Sequence, residues 1–415
     1  MSLVRPFAAV RPAPDSVSDT VAPPYDVVNR AEAKKLAQGN PRSFLRISRP
    51  EIEFDDSVSP YSDEVYQRGV DNFRNMINQG VLVQDTQPAY YVYRQHMGDH
   101  QQTGFVGVAS CEAYDDGRIK KHEFTRPDKE DDRARQIDML NAQPSPVFLT
   151  YKHTDGLDRV LQKVSASPPD VDVTTEFTGV RHQLWVVDDP ETLAGISGEF
   201  ERLNTLYVAD GHHRTAAASR VAARRKAANP GHTGEENYNY CLAVMFPDNQ
   251  VQILDYNRVV KDLNGLNESG FLDAVKEAGF TVEPSAAPVK PAKPGEVGMY
   301  LNGRWYRLGA RPEWITSGDP VNSLDISVLA DHLLSPVLDV HDPRTDTRID
   351  FVGGIRGLEG LEQRVDSGEM AVAFSLFPTS LDQLMAVADS GNVMPPKSTW
   401  FEPKLADGLV SFLLE

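Results

Sequence analysis

Two spacings of apolar residues alternate over residues 1–262. Helical spacing predicts helices over 30–38, 61–79, 128–140, 154–164, 189–203 and 215–228. Short apolar or alternating runs predict strands over 89–94, 103–114, 146–151, 181–188, 206–209, 239–246 and 251–256. Because strands and helices mix without a strict β-α-β order, the pattern predicts an α+β fold.

A change of composition separates this region from the rest of the chain. Residues 283–296 contain four prolines and two lysines, which is typical of a linker. A hairpin with Asn302-Gly303 at its tip is predicted over 297–308, and further elements over 326–340, 371–377 and 381–389. We therefore expect a core domain over 1–262 with the functional site, a helix and Pro/Ala/Lys-rich linker over 263–296, and a C-terminal α+β domain over 297–415 that contributes the 397–404 loop.

Composition and charge limit the partners. The 415 residues include 42 Lys+Arg and 60 Asp+Glu, a formal net charge of -18. Such a field repels nucleic acid and anionic membranes, so a phosphate-bearing ligand would need cations gathered locally. No long apolar run predicts a membrane span, and the start lacks the pattern of a signal peptide, so we expect a cytoplasmic protein. Two cysteines, Cys111 and Cys241, lie in strand-like runs and are expected to be buried, reduced thiols.

The clearest candidate for chemistry is Asp210-Gly-His-His-Arg214, between the apolar run 206–209 and the helix predicted over 215–228. Glycine permits a sharp turn and a close ligand approach. The free amides of a first helical turn attract anions, and an arginine fork suits phosphate. Asp210 could hold a metal ion or accept a proton. The structural alternative, in which Asp210 caps the helix and the histidines pack, leaves most of these polar residues unexplained.

A second dense cluster spans residues 120–133 and enters the helix predicted over 128–140. His122 and Glu123 lie in the loop before that helix, where rigid flanks can position functional groups. Lys129 and Arg133 lie one turn apart on one helical face. The alternative is a solvated charged helix with ion pairs along its own surface.

A third cluster spans residues 397–404, with two lysines and two hydroxyls after a double proline. It could form a phosphate-binding loop, although it does not fit the Walker A pattern. The alternative is an ordinary polar loop.

Five ordered segments resemble the signatures of a bacterial family known as a domain of unknown function. These segments are Pro23-Pro-Tyr-Asp-Val27, Arg49-Pro-Glu51, His122-Glu-x-Thr125-x-Pro127-x-Lys129-Glu130-x-Asp132-Arg133, Ala209-Asp-Gly-His-His-Arg214 and Lys397-Ser-Thr-x-Phe-x-Pro-Lys404. The match covers nearly the whole chain, and five motifs in one order make it specific.

The Asp-Gly-His-His-Arg element followed by a helix is also similar to the phosphate-binding motif of the ParB/sulfiredoxin-like fold, which includes free-serine kinases; a pyrophosphate-using branch lies close to the family. The resemblance implies a mixed-sheet ParB/sulfiredoxin-like core with an additional C-terminal α/β region. It further implies that Asp210, His212, His213 and Arg214 form the phosphoryl-donor and metal site, with Asp210 as the metal ligand. Glu123 is assigned as general base because the reaction needs a carboxylate and Glu123 lies in the other dense cluster.

The main functional hypothesis is a small-molecule phosphotransferase that phosphorylates a hydroxyl such as that of L-serine, using ATP, ADP or pyrophosphate with Mg²⁺. Its further binding residues are predicted to be His122, Thr125, Lys129, Arg133, Gly211, Thr215, Lys397, Ser398, Thr399 and Lys404. We expect residues 115–133 and 207–215 to line one pocket, because neither cluster alone has both cations and a base.

Two other functions are compatible with the same residues. One is a metal-dependent hydrolase, with Asp210, His212, His213 and either His122 or Glu123 as metal ligands. The other is a non-catalytic protein that keeps a nucleotide pocket. The oligomeric state is left open by the sequence.

Overall fold

The computed structural model describes residues 2–316 and 318–415. They divide into two compact units, described here as unit 1 and unit 2. Unit 1 contains the chain up to Val251 together with Pro403–Glu415, and unit 2 contains Gln252–Glu402.

The strands have the following bounds, in chain order: β1 Val4–Arg5, β2 Val10–Pro12, β3 Leu82–Gln84, β4 Tyr90–Met97, β5 His100–Ser110, β6 Ile119–Lys120, β7 Ala142–Gln143, β8 Val147–Tyr151, β9 Val171–Thr174, β10 Arg181–Val187, β11 Leu206–Asp210, β12 Tyr240–Pro247, β13 Gln252–Leu254, β14 Tyr256–Val260, β15 Thr281–Ser285, β16 Glu296–Leu301, β17 Arg304–Gly309, β18 Ile349–Gly353, β19 Val372–Leu376, β20 Trp400–Glu402 and β21 Phe412–Leu413.

The α-helices are α1 Val17–Thr20, α2 Arg30–Leu36, α3 Leu45–Ser48, α4 Asp63–Asn78, α5 Cys111–Asp115, α6 Pro127–Leu140, α7 Asp155–Val164, α8 Pro190–Leu203, α9 His212–Ala228, α10 Glu268–Glu277, α11 Pro312–Ile315, α12 Asp325–Leu329, α13 Glu359–Asp366 and α14 Leu381–Asp389. A π-helical turn, Ala330–Leu334, continues α12. Within the described residues, no helix combines the length and the apolar character that a bilayer crossing requires.

Unit 1 is built on a mixed sheet with strand order β6-β11-β8-β12-β5-β4-β10-β9, and β1 pairs with β5. Two neighbouring pairs, β6 with β11 and β8 with β12, are parallel, while the other pairs are antiparallel. Every position of the central strand β12 is buried, which explains its continuous apolar run. The expectation of a mixed fold of helices and strands is confirmed in this general form.

Both cysteines lie in the core of unit 1 as free, buried thiols, as expected. Cys241 is in β12, whereas Cys111 begins helix α5. The strand predicted over 103–114 therefore ends earlier, at Ser110, whose hydroxyl accepts a hydrogen bond from the Ala113 amide and caps α5.

Unit 2 contains an antiparallel sheet with strand order β15-β17-β16-β19-β14-β18. Its β16–β17 hairpin is the predicted one, and both tip residues, Asn302 and Gly303, have the positive φ of a tight hairpin turn. The predicted linker is wrong in part, because residues 281–285 form β15, which pairs with β17.

The bounds of the two units differ from the predicted domains. Residue 262 lies inside unit 2, and residues 403–415 belong to unit 1. There, Asp407 forms a backbone bridge with Ala22, and Ser411 forms one with Val10. Such long-range backbone pairing leaves no local pattern in the sequence.

Candidate functional site

Two parallel strands bring the two main sequence motifs together. In β6 and β11, Ile119 pairs with Leu206 and Lys120 with Tyr207. Because parallel neighbours end at the same edge of a sheet, the segment after Lys120 and the turn after Asp210 leave the sheet side by side.

The turn at Gly211 explains why the helix begins earlier than predicted. Gly211 has φ +94 and is the N-cap of α9, which starts at His212 rather than at 215. A Cβ atom on residue 211 would lie 3.1 Å from Nε of Arg214 and 3.3 Å from Cγ1 of Val147. Glycine is therefore needed both for the left-handed backbone and for the close approach of the Arg214 guanidinium.

Arg214 is a buried cation with unused donors. The residue is 8% exposed, and Nε and Nη1 make no hydrogen bond to any residue described in the structure. Nη2 lies 3.7 Å from Oδ2 of Asp26. Buried N–H donors without partners are costly, and an anion would satisfy them.

Tyr25 lies between two arginines. Its ring centroid is 4.0 Å from the guanidinium carbon of Arg133 and 5.7 Å from that of Arg214. Burial raises the pKa of Tyr25 to about 12, so it remains a neutral phenol at neutral pH. Arg49 fixes the backbone at Tyr25, because its Nη1 donates a hydrogen bond to the Tyr25 carbonyl at 2.9 Å. Its Nε is paired with Glu51 at 2.7 Å.

These side chains border a cleft with about 320 Å³ of empty space, part of it open to solvent. Its lining residues are Tyr25, Arg133, Gln136, Ile137, Gln143, Pro144, Ser145, Val147 and Arg214. Arg133 and Arg214 thus line one cleft, but its lining includes neither the assigned base Glu123 nor Asp210, so the expected shared pocket is found only for the two arginines. Arg133 already donates to Asp132 at 2.7 Å and to Gln136 at 2.8 Å.

Asp210 is held by two donors at the end of β11. Lys404 Nζ lies 2.8 Å from Oδ2, and the Gly211 amide donates to Oδ1 at 2.8 Å. Burial alone would raise the pKa of Asp210, but the charges of Lys404 and Arg214 outweigh it and lower the pKa below its ordinary value. Asp210 is therefore a carboxylate at neutral pH.

A second carboxyl group, that of Asp407, is buried close enough to Arg214 to interact with its charge. Burial raises its pKa to about 7, although the positive charge of Arg214 opposes the shift. Asp407 thus changes charge near neutral pH.

His122, Glu123 and His212 form a separate group beside the turn. The rings of His122 and His212 are 4.5 Å apart at 86°, and Glu123 Oε2 lies 4.0 Å from His212 Nδ1. Burial lowers the pKa of His122 to about 4, with the backbone of Val208 partly opposing. Burial, with His122 as a neighbour, holds the pKa of His212 well below its ordinary value. Both imidazoles are therefore neutral at neutral pH.

His213 and Thr215, the other predicted residues of the turn, make local contacts. His213 Nε2 accepts a hydrogen bond from the Arg126 amide at 3.1 Å, which ties the two motifs together. Burial lowers the pKa of His213. The Thr215 hydroxyl donates to the Gly211 carbonyl at 3.1 Å, within the first turn of α9. The assigned ligand roles of both residues stay predictions.

Thr125 and Lys129 also have protein partners. The Thr125 hydroxyl donates to the Glu130 carboxylate. Lys129 Nζ donates to the Tyr61 hydroxyl at 3.1 Å. Their predicted contacts with substrate stay predictions.

The third sequence motif is divided between the two units. Lys404 belongs to unit 1, where it pairs with Asp210. Lys397, Ser398 and Thr399 belong to unit 2, where the Ser398 hydroxyl donates to the Pro395 carbonyl at 2.6 Å. The 397–404 segment is therefore not one loop of a separate C-terminal domain.

Four contributors to the site were not assigned roles from the sequence: Tyr25, Asp26, Arg49 and Asp407. The first three lie in the signatures 23–27 and 49–51, so the co-occurrence of those motifs was a usable signal. For Asp407 we find no local signal, since its position depends on the return of the chain end to unit 1.

The fold and site define a mixed-sheet protein with a cleft lined by two arginines. The chain belongs to the family described as "Protein of unknown function (DUF1015)", whose profile matches residues 4–327. No curated protein matches the chain significantly.

Solved structures give weak likenesses. One is a free serine kinase in complex with AMP, with TM-score 0.35, 13% identity, and coverage of 71% of this chain and 86% of that one. Another is a conserved hypothetical protein from Pyrococcus furiosus, with TM-score 0.35, 13% identity, and coverage of 74% and 95%. A third is SbnI with a C-terminal truncation from Staphylococcus aureus, with TM-score 0.37, 10% identity, and coverage of 74% and 86%. Scores this low establish neither a shared fold nor a shared activity.

Proposed function

We propose that this protein is a phosphotransferase that phosphorylates the hydroxyl of a small molecule, with L-serine as the first acceptor to test. The observation that carries the proposal is the guanidinium of Arg214. It is buried in the wall of a cleft, and two of its nitrogens find no hydrogen-bond partner among the described residues.

A phosphate group satisfies these donors better than a neutral ligand does. The guanidinium fork matches two phosphate oxygens, and the free amides at the start of α9 favour an anion at the same turn. Arg133 adds positive charge on the cleft wall, in a protein whose net charge is -18. Phosphoryl transfer needs such cations to offset the charge of the transferred group.

The donor is proposed to be ATP, ADP or pyrophosphate. The choice of L-serine follows from the resemblance of the 210–214 element to that of free-serine kinases, with which the core of unit 1 is proposed to share a ParB/sulfiredoxin-like fold. Glu123 is kept as the proposed base, although it belongs to the group of His122 and His212. Asp26 is the carboxylate that lies beside the Arg214 fork.

Mg²⁺ fits this site through the donor rather than through a protein cage. Both carboxylate oxygens of Asp210 already accept from Lys404 or Gly211, which leaves limited capacity for a metal. Mg²⁺ commonly binds through substrate phosphates and one carboxylate, and Asp210 is that proposed carboxylate. When bound, Mg²⁺ would neutralise phosphate charge.

The test is direct formation of O-phosphoserine. The protein is incubated with L-serine and Mg²⁺ and, separately, ATP, ADP and pyrophosphate, and the product is measured by mass spectrometry; the reverse reaction is assayed in the same way. We expect product with at least one donor. No product in either direction, and no rise in Tm with any donor, would overturn the proposal.

The metal-dependent hydrolase is a second candidate, favoured by the group of His122, Glu123 and His212 beside the turn. It predicts phosphate release from the donor without serine, supported by a transition metal and not by Mg²⁺. Measuring phosphate release and O-phosphoserine in the same reactions separates the two functions.

A further inference from the structure

We propose that His122, Glu123 and His212 bind a divalent transition-metal ion, with Zn²⁺ as the first ion to test. The proposal does not rest on phosphoryl transfer. It names a metal site apart from the Arg214 cleft, and two of its ligands are buried histidines with ring nitrogens that make no hydrogen bond among the described residues.

The geometry places three ligand residues within reach of one ion. One ligand atom from each residue lies within 4.8 Å of the other two. His122 is 1% exposed and His212 is 6% exposed. The backbone of Val208 approaches the His122 ring, yet neither ring nitrogen of His122, nor Nε2 of His212, makes a well-formed hydrogen bond within residues 2–316 and 318–415.

Buried imidazole nitrogens without partners are unusual in proteins. Each is less stable than a hydrogen-bonded nitrogen, because burial removes its hydrogen bonds to water without replacing them. The two rings meet edge to face, so they do not satisfy each other by a ring-to-ring hydrogen bond. A metal ion that accepts one lone pair from each ring would remove the cost at that nitrogen, and the carboxylate of Glu123 would supply a negative charge.

The donor set selects the kind of metal. Two imidazole nitrogens and one carboxylate oxygen are typical of zinc and related transition metals, whereas Mg²⁺ and Ca²⁺ prefer oxygen ligands. Three protein ligands leave at least one coordination position for water or another ligand, as in catalytic zinc sites. The negative charge of Asp210, close to His212, would further stabilise a cation there.

The backbone positions these ligands in advance. His122 and Glu123 follow β6 by two and three residues, and His212 follows β11 by two, so the parallel pairing of the strands sets their separation. Metal bonds of about 2.0–2.2 Å require the ligand atoms to approach one another by roughly 1 Å. Glu123 can make much of this movement, because its side chain is 42% exposed and lies in a loop.

The test is metal binding by the full-length protein, free of affinity tags and treated with a chelator. Zn²⁺ is titrated by calorimetry against a competing chelator, and Co²⁺ by absorption spectroscopy, which reports nitrogen and oxygen coordination in a low-symmetry site. We expect one ion per chain. Mg²⁺ in large excess should not displace it.

The variants His122→Gln, Glu123→Gln and His212→Gln should each lower Zn²⁺ affinity at least tenfold. The matched control is His232→Gln, since His232 also lies beside a carboxylate, 3.1 Å from Glu236, but outside the group. Absence of stoichiometric binding, or equal affinity in all four variants, would overturn the proposal. If the buried histidine variants do not fold, the Zn²⁺ affinity of Glu123→Gln still tests the proposal, because the partly exposed side chain of residue 123 tolerates the change. Failure of serine phosphorylation would leave these binding results unaffected.

Discussion

The first turn of α9 supplies Arg214 to the cleft and His212 to the His122–Glu123–His212 group. The cleft is suited to an anion, and the histidine group is suited to a cation. Arg214 has N–H donors without acceptors, while the histidine group has lone pairs without a cation, within the described chain. Residues 212 and 214 are separated by about 200° around a helix, so their side chains leave the turn in different directions. One short segment can therefore serve an anion on one side and a cation on the other.

The second motif is divided in the same way. His122 and Glu123 join the histidine group, and Arg133, which lies on the following helix, lines the cleft. Asp210 lies between the two regions, since its charge acts on both Arg214 and His212. Motif residues adjacent in sequence therefore need not share a ligand. Variants on each side should therefore have separable effects.

The largest expected effect is that of Arg214→Lys on the cleft. Lysine keeps the charge but loses the planar fork, so we expect serine phosphorylation to fall by about 100-fold or more, as when an oriented donor to a transition state is removed. Zn²⁺ affinity should stay within about threefold of wild type, a separation checked by measuring kcat/KM and metal affinity on the same preparation.

The control is Arg224→Lys, on the same helix. Arg224 is 56% exposed and pairs with Asp138 at 2.6 Å, so the exchange should leave activity unchanged. Unchanged donor affinity in Arg214→Lys would show that Arg214 has a structural role only. An equal loss of Zn²⁺ affinity would show that the two regions do not bind their ligands separately.

The core of the site could be predicted from the sequence because its signals are local. An apolar strand, a glycine and a helix surround residues 210–214, and a strand and a helix surround residues 122–133. The start of α9 was misplaced by three residues, because the left-handed Gly211 lets the helix begin directly after the strand. The separation of His212 from Arg214 could not be predicted, since it needed the orientation of the turn in three dimensions.

The remaining contributors depend on contacts between distant parts of the chain. Lys404 reaches Asp210, 194 positions earlier, and Asp407 reaches the neighbourhood of Arg214 through its bridge to Ala22. A proline-rich segment was predicted to be a linker, yet β15 pairs there with β17. Spacing within one segment contains no information on which other segment will lie beside it.

The next largest effect should be the pH dependence of Asp407→Asn. In the folded protein the pKa of Asp407 is raised to about 7 by burial, against an ordinary value of 3.8. Between those values the folded state holds a proton that the unfolded state has lost, so this group lowers stability as pH rises. At about 1.4 kcal/mol per pKa unit, the variant should gain roughly 2–3 kcal/mol relative to wild type between pH 5 and pH 8.

This difference is checked by unfolding wild type and variant in parallel at each pH. A comparison variant is Asp325→Asn in unit 2, where burial raises the pKa to about 6; the sign should be the same and the gain smaller. A pH-independent difference for Asp407→Asn would mean that Arg214 already has a carboxylate partner at neutral pH, and would weaken the case for an anion in the cleft.

A smaller effect is expected from Lys404→Met, which removes a partner of the carboxylate between the two regions. Asp210 is 31% exposed and Lys404 is 20% exposed, so loss of this charged hydrogen bond should lower the free energy of unfolding by about 2 kcal/mol. The control is Lys152→Met, because Lys152 pairs with Asp248 at 3.0 Å but is 52% exposed and should contribute about 0.5 kcal/mol or less. Equal losses in the two variants, measured by denaturant unfolding, would show that the Lys404–Asp210 pair contributes no more stability than an exposed ion pair.

The smallest effect on stability is expected from Gly211→Ala. This variant also tests most directly whether the Arg214 cleft and the histidine group are separate sites. Alanine in a left-handed backbone costs about 1 kcal/mol, and its Cβ would lie 3.1 Å from Arg214 Nε, so the guanidinium must shift. Gly117→Ala is the matched control, since Gly117 has φ +84 and a Cβ added there would meet nothing within 4 Å among the described residues. Both variants should lose the stability that the shared backbone strain costs, and Gly211→Ala should lose more, because its Cβ also meets Arg214 and Val147. Only Gly211→Ala should weaken pyrophosphate binding, by several-fold in a calorimetric titration, because only there does the new methyl group meet the arginine fork. Zn²⁺ affinity should hold in both, since His212 departs from the turn on the other side; a parallel loss of both ligands in Gly211→Ala would instead mean that the two regions form one site.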